Sequence, residues 1–232
     1  RSLRKSLSVW PSMAVNGVTV RMGVEATADS IAAEKPDAVV VATGSRYEKI
    51  GYSQYRPERE HLPGYDQDNV IEVETAARRV LEDPKALGKK VVIIDQTGDY
   101  LPVGVAEILA TQGDAAVEVI SPNEMVGEDV MRRLEYPHVI PRLAEAGVRF
   151  TPLHFVEKIE GDSVEIYPVW GGPWRTETGV DTVVVSINRT PSDELFFACR
   201  DRFGEVHRVG DCVAPRRPAA ITYEAEELGR QL

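Results

Sequence analysis

The chain has 232 residues, of which 43% are hydrophobic and 28% are charged, and its formal net charge at pH 7 is -10. This length suffices for one large domain or two small domains with cores of their own. The acidic balance argues against nucleic acid as a partner, because nucleic-acid binding requires a basic face. No run of 18 apolar residues and no signal-peptide pattern occurs, so the sequence predicts a cytoplasmic protein without a membrane partner.

The cysteine and histidine residues indicate neither a metal site nor a catalytic site. Cys199 and Cys212 have no His or Cys neighbour at the spacing of metal ligands, and a cytosolic chain rarely forms a disulfide. His138, His154 and His207 have no partner at catalytic spacing. The sequence therefore assigns no metal ligand and no catalytic residue to this chain.

The first part of the chain alternates short apolar segments with turn residues. Thr27 is placed to cap a brief helix, which ends near Pro36. A polar stretch containing Pro57, Pro63 and Gly64 predicts a connector with little helix or ladder of its own. The predicted elements are a helix over 1–15, a strand over 18–22, a helix over 28–34, a strand over 38–42, the connector over 45–68 and a helix over 73–81.

From Lys89 onward the pattern starts again with a βαβ unit, and such crossovers are almost always right-handed. Three later segments, separated by Gly161-Asp162 and Gly171-Gly172, are typical of an antiparallel meander. The predicted elements are strands over 90–95 and 116–121 around a helix over 102–111, a helix over 138–146, a strand over 148–153, meander strands over 154–160, 163–169 and 174–177, strands over 182–187 and 205–210, and a helix over 218–232.

These elements predict an α/β fold of Rossmann-like FAD/NAD(P)-binding architecture, built from two parallel-sheet βαβ domains with the antiparallel meander added. The second domain is inserted in the first. Residues 1–88 plus 200–232 form a truncated FAD- or ADP-binding-type domain, and residues 89–199 form the inserted Rossmann-like domain. An inserted domain whose host resumes at the C-terminus is the layout of flavoproteins with two dinucleotide-binding domains.

Two strand ends carry the candidate cofactor-binding residues. The apolar run from Asp37 breaks at Thr43-Gly44, and the run from Val206 breaks at Gly210-Asp211. Ligands of parallel α/β sheets lie beyond the carboxyl ends of the strands. Glycine allows the backbone to approach a ligand closely, and an aspartate can accept hydrogen bonds from a ribose or ribityl hydroxyl. A plain turn at Gly44 and a helix cap at Asp211 are the structural alternatives.

A dinucleotide-binding domain normally holds its pyrophosphate on a glycine-rich turn between a strand and a helix. No such turn occurs upstream of Val39. In the inserted domain, Asp95 and Thr97 stand where glycines are needed, and an acid would repel a pyrophosphate. The sequence therefore argues against NAD(P) binding, with a turn rebuilt from Gly98 and Gly104 as the alternative.

With these residues in hand, the chain resembles the C-terminal region of the trimethylamine, dimethylamine and histamine dehydrogenase group. This group is related to 2,4-dienoyl-CoA reductase and to old-yellow-enzyme-like NADH:flavin oxidoreductases. The similarity covers nearly the whole chain in order. The matching stretches are Thr27–Ser30, Asp37–Gly44, Leu134–Pro137 with Arg142-Leu143, Glu165–Tyr167 with Trp170-Gly171, and Val209–Arg216.

The resemblance implies that this chain is a C-terminal portion, inactive alone, of an enzyme whose N-terminal (β/α)8 barrel carries FMN, the catalytic residues and a [4Fe-4S] cluster. In the amine dehydrogenases the corresponding region holds ADP, and in the reductases it holds FAD and NADPH. Thr43, Gly44, Gly210 and Asp211 would line the ADP or FAD cleft. The implied partners are the FMN barrel, an electron-transfer flavoprotein and further copies in a homo-oligomer.

Two departures from the family pattern favour the amine-dehydrogenase branch, in which the second domain does not use NADPH. These are Asp95–Thr97 in place of the glycine turn and Ser186–Asn188 where many relatives repeat Ala-Thr-Gly. Two other functions stay open from the sequence. One is part of an NAD(P)H-dependent enoate or dienoyl reductase, and the other is a non-catalytic interaction module without a nucleotide.

Overall fold

The computed structural model of the chain describes residues 17–232, so the predicted helix over 1–15 lies outside the described residues. The helices are α1 (Ala28–Glu34), α2 (Val73–Glu82), α3 (Tyr100–Thr111), α4 (Glu128–Arg132), α5 (Tyr136–Glu145), α6 (Glu194–Arg200) and α7 (Pro218–Gln231). The strands are β1 (Val39–Val41), β2 (Ser45–Glu48), β3 (Val70–Glu72), β4 (Lys90–Asp95), β5 (Ala116–Ile120), β6 (Arg149–Thr151), β7 (His154–Glu160), β8 (Ser163–Pro168), β9 (Arg175–Glu177), β10 (Thr182–Ser186), β11 (Asn188–Pro191) and β12 (Val206–Arg208).

The largest sheet has five parallel strands in the order β3-β10-β4-β5-β6. Its central strands β4 and β10 are almost continuous runs of Val and Ile, and residues 91–95 and 182–186 are buried. Such runs are typical of parallel strands, because both faces of a parallel sheet are covered. We call β3 to β10 together with α2 to α5, residues 70–186, the second unit.

The two faces of this sheet are covered by different kinds of structure. Helices α2, α3 and α5 pack on one face, in a core that includes Val91, Leu109 and Leu143. The antiparallel meander β7-β8-β9 packs on the other face, in a core that includes Phe155 and Ile166. The predicted mixed α/β fold with a parallel sheet and an antiparallel meander is therefore confirmed.

The remaining elements form a smaller unit around the chain ends. Strands β1 and β12 pair in parallel, and β2 and β11 pair antiparallel. The buried core here is Val39, Val41 and Cys212, with residues of α1 and α6 packed against it. We call residues 17–48 plus 188–232 the first unit. The two antiparallel strands are where the chain leaves this unit and returns to it.

Helix α1 is confirmed with its predicted cap. The Thr27 hydroxyl accepts from the Ser30 N–H at 3.2 Å, while the Ser30 hydroxyl accepts from the Thr27 N–H at 2.9 Å. This reciprocal pair satisfies two of the N–H groups that a helix start leaves free. Lys35, with φ of 51°, ends the helix and turns the chain into β1.

Several predictions about short elements are wrong. Residues 18–22 form no strand, although their apolar side chains alternate with polar ones. The predicted connector over 45–68 contains β2, which finds its ladder partner in β11 far along the chain. Strand β3 pairs with β10 and is followed by α2, so residues 70–82 join the sheet of the second unit. The domain boundary at Gly88 stays a prediction.

Among residues 17–232, no helix combines the length and the apolar character that crossing a bilayer requires.

Candidate functional site

The four predicted site residues come together at one edge of the first unit. Strands β1 and β12 run parallel in the register Val41↔Arg208, so their carboxyl ends point the same way. The Val209 N–H donates to the Val41 carbonyl at 2.9 Å and extends this pairing toward the edge. Thr43-Gly44 leaves one strand and Gly210-Asp211 leaves the other. This is the edge at which parallel α/β sheets bind ligands.

Thr43 and Gly44 are fixed against the start of α6. The Thr43 hydroxyl donates to the Ser192 carbonyl, and the Ser192 N–H donates to the Gly44 carbonyl at 2.9 Å. Gly44 has φ of 78°, and an added Cβ would meet no atom within 4 Å. Thr43 also lines an open cleft of about 470 Å³, together with Thr27 and Leu195. The Thr43 hydroxyl thus already has a protein partner, while the space beside Gly44 is open.

Asp211 is held by three donors. Its Oδ2 accepts from the Ser45 hydroxyl at 3.1 Å and from the Arg189 guanidinium at 2.9 Å. Its Oδ1 accepts from the Arg216 N–H at 2.9 Å. The side chain is 16% exposed. A carboxylate offers about four acceptor positions, so one remains after these three bonds.

Asp211 does not cap a helix, which was the alternative role for this residue. The 3-10 turn Gly210–Cys212 begins after Val209, and α7 begins after Arg217. The cap residues of these two elements are Val209 and Arg217, and neither side chain makes a capping hydrogen bond. The carboxylate instead fixes the loop that leads from the turn into α7.

Gly210 is also engaged within the chain. Its φ is 78°, and its N–H donates to the Glu224 carboxylate of α7 at 2.7 Å. Arg216 donates to the same carboxylate at 2.6 Å. The Gly210 N–H and Arg216 together hold the pKa of Glu224 below its usual value, against the opposing effect of burial. The Gly210 N–H, which could have faced an anionic ligand, is therefore already bound to the Glu224 carboxylate of the same chain.

Sequence reasoning missed Ser45, Arg189 and Glu224, which surround the predicted pair Gly210-Asp211. Arg216 was within a stretch that carried the family resemblance, but no role was assigned to it. Ser45 and Arg189 lie on β2 and β11, which were not predicted as strands. Only the pairing of these two strands could have identified them as neighbours of Asp211. In that ladder Pro191 pairs with Ser45, and Arg189 pairs with Tyr47.

The corresponding strand end of the second unit carries Asp95, which is fully buried. Its Oδ1 accepts from the Gly98 N–H at 2.8 Å and from the Thr97 hydroxyl at 3.2 Å. Its Oδ2 has no partner among the described residues. Burial raises the pKa of Asp95 to about 7, and the nearby Asp99 carboxylate adds to this shift, while the Gly98 N–H opposes it.

The loop after Asp95 is closed on its neighbours. The N–H groups of Gln96 and Thr97 donate to the Ser186 carbonyl at 2.8 and 3.2 Å. The Asn123 amide donates to the Gln96 carbonyl at 3.2 Å. In a glycine-rich turn, free N–H groups would face a phosphate. Here those of residues 96–98 are bound to protein oxygens.

Asp99 caps the start of α3, because its carboxylate accepts a hydrogen bond from the Leu101 N–H at 2.9 Å. Gly98, with φ of 66°, lies against the backbone of Glu128, whose N would be 3.1 Å from an added Cβ. Gly104 lies inside α3. The Gly98 N–H is bound to Asp95 and is not free for a phosphate, which argues against the alternative that Gly98 and Gly104 rebuild a phosphate-binding turn.

Within residues 17–232, no group of three or more His, Cys, Asp or Glu side chains is arranged to hold a metal ion. Cys199 and Cys212 are both buried and form no disulfide.

Comparison with known proteins identifies the family. Residues 75–195, more than half of the chain, match the family described as the OYE-like second alpha/beta domain. The chain belongs to this family. The match begins inside α2 and ends inside α6, so it covers nearly all of the second unit.

Curated relatives of this OYE-like chain are oxidoreductases that act on amines by name. It is 29% identical to a probable N-methylproline demethylase of Rhizobium meliloti over 91% of its own length and 33% of the relative. It is 26% identical to dimethylamine dehydrogenase of Hyphomicrobium over 89% of its length and 31% of the relative. The chain thus spans about a third of the length of the curated relatives it matches.

Solved structures support the fold of the OYE-like chain. It matches a 6-hydroxypseudooxynicotine amine oxidase from Pseudomonas geniculata N1 with a TM-score of 0.81, at 24% identity, over 91% of this chain and 31% of that one. It matches 2-naphthoyl-CoA reductase with a TM-score of 0.75, at 27% identity, over 95% of this chain and 30% of that one. The predicted resemblance to the OYE-like dehydrogenases is confirmed at the level of the family.

Proposed function

We propose that this chain is the C-terminal nucleotide-binding-type portion of a flavin- and iron–sulfur-dependent oxidoreductase of the amine-dehydrogenase type. The observation that carries the proposal is the Asp211 carboxylate, fixed beside Thr43-Gly44 at the shared carboxyl edge of β1 and β12. In this proposal the first unit is the remnant of a Rossmann-like FAD- or ADP-binding domain. The second unit is a Rossmann-like domain in which protein groups occupy the place of the NAD(P)-binding turn.

The residues of the first unit fit one part of an ADP or FAD molecule. Asp211 has an acceptor position free for a ribose or ribityl hydroxyl, and the space beside Gly44 allows close approach. The Gly210 N–H is occupied by Glu224, so it does not serve a phosphate. We therefore assign hydroxyl binding to this chain and pyrophosphate binding to a glycine-rich turn outside it.

The second unit argues against a nicotinamide nucleotide in this proposal. A buried acid at the end of β4 and a closed loop occupy the place where a pyrophosphate would lie. NAD(P) is accordingly not among the proposed cofactors. The FMN and [4Fe-4S] groups, with all the catalytic residues, belong to a barrel portion that this chain does not contain.

Exposed apolar residues of the first unit support a covering partner. Val18, Val20, Met22, Val24 and Val40 are each at least 38% exposed, and α7 has no buried residue. Within the described residues, β1 pairs only with β12. Because the curated relatives are about three times longer, we propose that the FMN barrel of the same enzyme covers this surface. An electron-transfer flavoprotein, a homo-oligomer and a cytoplasmic location complete the proposal.

The 27% identity to 2-naphthoyl-CoA reductase favours a second candidate, in which NADPH supplies hydride to FAD in a reductase. NADPH titration of the full-length enzyme separates the two candidates. Bleaching of the flavin absorbance would support the reductase. A flavin spectrum that NADPH leaves unchanged and that an amine substrate bleaches would support the amine-dehydrogenase type.

The nucleotide itself is tested by denaturing the purified full-length enzyme and chromatographing the released compounds. We expect ADP or FAD at unit stoichiometry, and we expect little or none from this chain alone. Asp211→Ala should weaken retention by about 1–3 kcal/mol, the cost of orphaning buried polar partners. The matched control is Asp201→Ala, since Asp201 is an exposed acid whose ion-pair partner among residues 17–232 is its neighbour Arg200. Retention unchanged by Asp211→Ala would overturn the proposal.

A further inference from the structure

One arginine connects the two strand-end sites. Arg189 of β11 donates to Asp211 at 2.9 Å, and its guanidinium lies over the ring of Tyr47, 5.9 Å from the centroid. Tyr47 is its direct partner across the β2–β11 ladder. A guanidinium within about 6 Å of an aromatic centroid is attracted by the ring. Arg189 is therefore held by Tyr47 on one side and by Asp211 on the other.

Tyr47 is in turn fixed to the second unit. Its hydroxyl donates to Asp99 Oδ2 at 2.6 Å, while Asp99 Oδ1 caps α3 through the Leu101 N–H. Burial and the Asp99 carboxylate raise the pKa of Tyr47 well above its usual value. The hydroxyl hence stays protonated and remains a donor. The contacts run without a gap from the start of α3 to Asp211.

The other partners of Asp211 cannot replace Arg189. Ser45 offers a neutral hydroxyl, and Arg216 offers its backbone N–H. Among the described residues, Arg189 is the cation whose side chain pairs with this carboxylate. A carboxylate that is largely withdrawn from water is best held in place by a paired counter-charge.

We infer that Arg189 is a positioning residue for Asp211 and that Tyr47 holds Arg189 in place. Neither residue needs to touch the nucleotide. The affinity of the first unit for a ribose or ribityl hydroxyl then depends on a chain of contacts anchored on the second unit. The inference rests on the proposed function, because it concerns the binding role of Asp211.

The test uses the full-length enzyme, stripped of its nucleotide and titrated with ADP. Arg189→Gln should weaken ADP binding about tenfold, because the carboxylate loses its charged partner. Arg189→Lys should bring affinity back to within about threefold, since it keeps the charge without the planar fork. Tyr47→Phe should weaken binding about threefold through loss of one hydrogen bond. The control is Arg46→Gln on the same ladder, because Arg46 pairs with Glu48 and Glu194 and not with Asp211.

A double-mutant cycle distinguishes positioning from a general structural role. Arg189→Gln combined with Asp211→Asn should bind ADP no more weakly than Asp211→Asn alone. Additive losses, or no rescue by Arg189→Lys, would overturn the inference. If Asp211→Asn alone leaves ADP binding unchanged, the proposed function fails as well. If Asp211→Asn weakens binding and Arg189→Gln does not, only the inference fails. Should Arg189→Gln not fold, the cycle is run with Tyr47→Phe, which removes the hydrogen bond that anchors the ring beside Arg189.

Discussion

Asp211 and Asp95 each follow an apolar parallel strand, yet their surroundings differ sharply. Asp211 has one cationic and two neutral donors and keeps contact with the solvent. Asp95 is sealed from water and has one oxygen without a partner in the described part of the chain. The position of an acid after a strand therefore does not reveal its role. Burial and counter-charge decide whether it can serve a ligand.

The two loops after these acids differ in the same way. Around Asp211 the chain leaves open space beside Gly44, where an added Cβ would meet nothing. Around Asp95 the N–H groups of Gln96, Thr97 and Gly98 are bound to protein oxygens. One strand end leaves open space beside its glycine, and the other is closed by hydrogen bonds within the protein. Five substitutions test this contrast.

The largest effect is expected for Asp95→Asn. The pKa of Asp95 is about 7 in the folded chain, against about 3.9 for a free aspartate. Between these pH values the folded state binds more protons, so the contribution of Asp95 to stability falls as pH rises. The difference in unfolding free energy between wild type and Asp95→Asn should change by a few kcal/mol from pH 4 to pH 8, as measured by urea unfolding. If the unfolding free energies of wild type and Asp95→Asn changed equally with pH, the raised pKa of Asp95 would be contradicted. Asp201→Asn, at an exposed acid, is the control.

Next in size is the pair Gly210→Ala and Gly44→Ala. Both glycines have φ of 78°, where a Cβ costs about 1–2 kcal/mol. At Gly210 the new Cβ would also meet Ile221 at 3.2 Å, whereas at Gly44 it would meet nothing within 4 Å. Thermal unfolding should therefore show a greater loss for Gly210→Ala. A greater loss for Gly44→Ala would mean that the edge beside β1 is not open.

Thr43→Val should destabilise the chain by about 1 kcal/mol, because the hydrogen bond to the Ser192 carbonyl is lost. Thr176→Val, at an exposed position of β9, provides the control for the change of side chain. Urea unfolding of both variants isolates the contribution of the hydroxyl. A loss equal to that of Thr176→Val would show that the Thr43 bond contributes nothing.

Arg46→Gln should have the smallest effect, below about 0.5 kcal/mol, since exposed ion pairs are screened by water and salt. Arg46 is 49% exposed and pairs with Glu48 and Glu194. The measurement is thermal unfolding at low and high salt. A loss well above 1 kcal/mol would show that the ladder depends on its outer charges as well as on Arg189.

The sequence was most informative where local pattern and structure agree. The valine and isoleucine run of β4, the cap of α1 and the meander all follow from short-range spacing. The convergence of Thr43-Gly44 with Gly210-Asp211 also followed, because parallel strands end at one edge. The contact of Arg189 with Asp211 did not follow. It requires the ladder between β2 and β11, whose strands are polar and far apart in the chain.

The β2–β11 ladder also sets how the two halves of the molecule can move. The chain passes between the two units through β2 and β11, which lie side by side in register from Asn188↔Glu48 to Pro191↔Ser45. Sliding one crossing along the other would break every rung of this ribbon, whereas bending the ribbon out of its plane breaks none. The ribbon therefore resists sliding between the two units, and the side-chain contacts Tyr47–Asp99 and Arg217–Asp129 join the units as well.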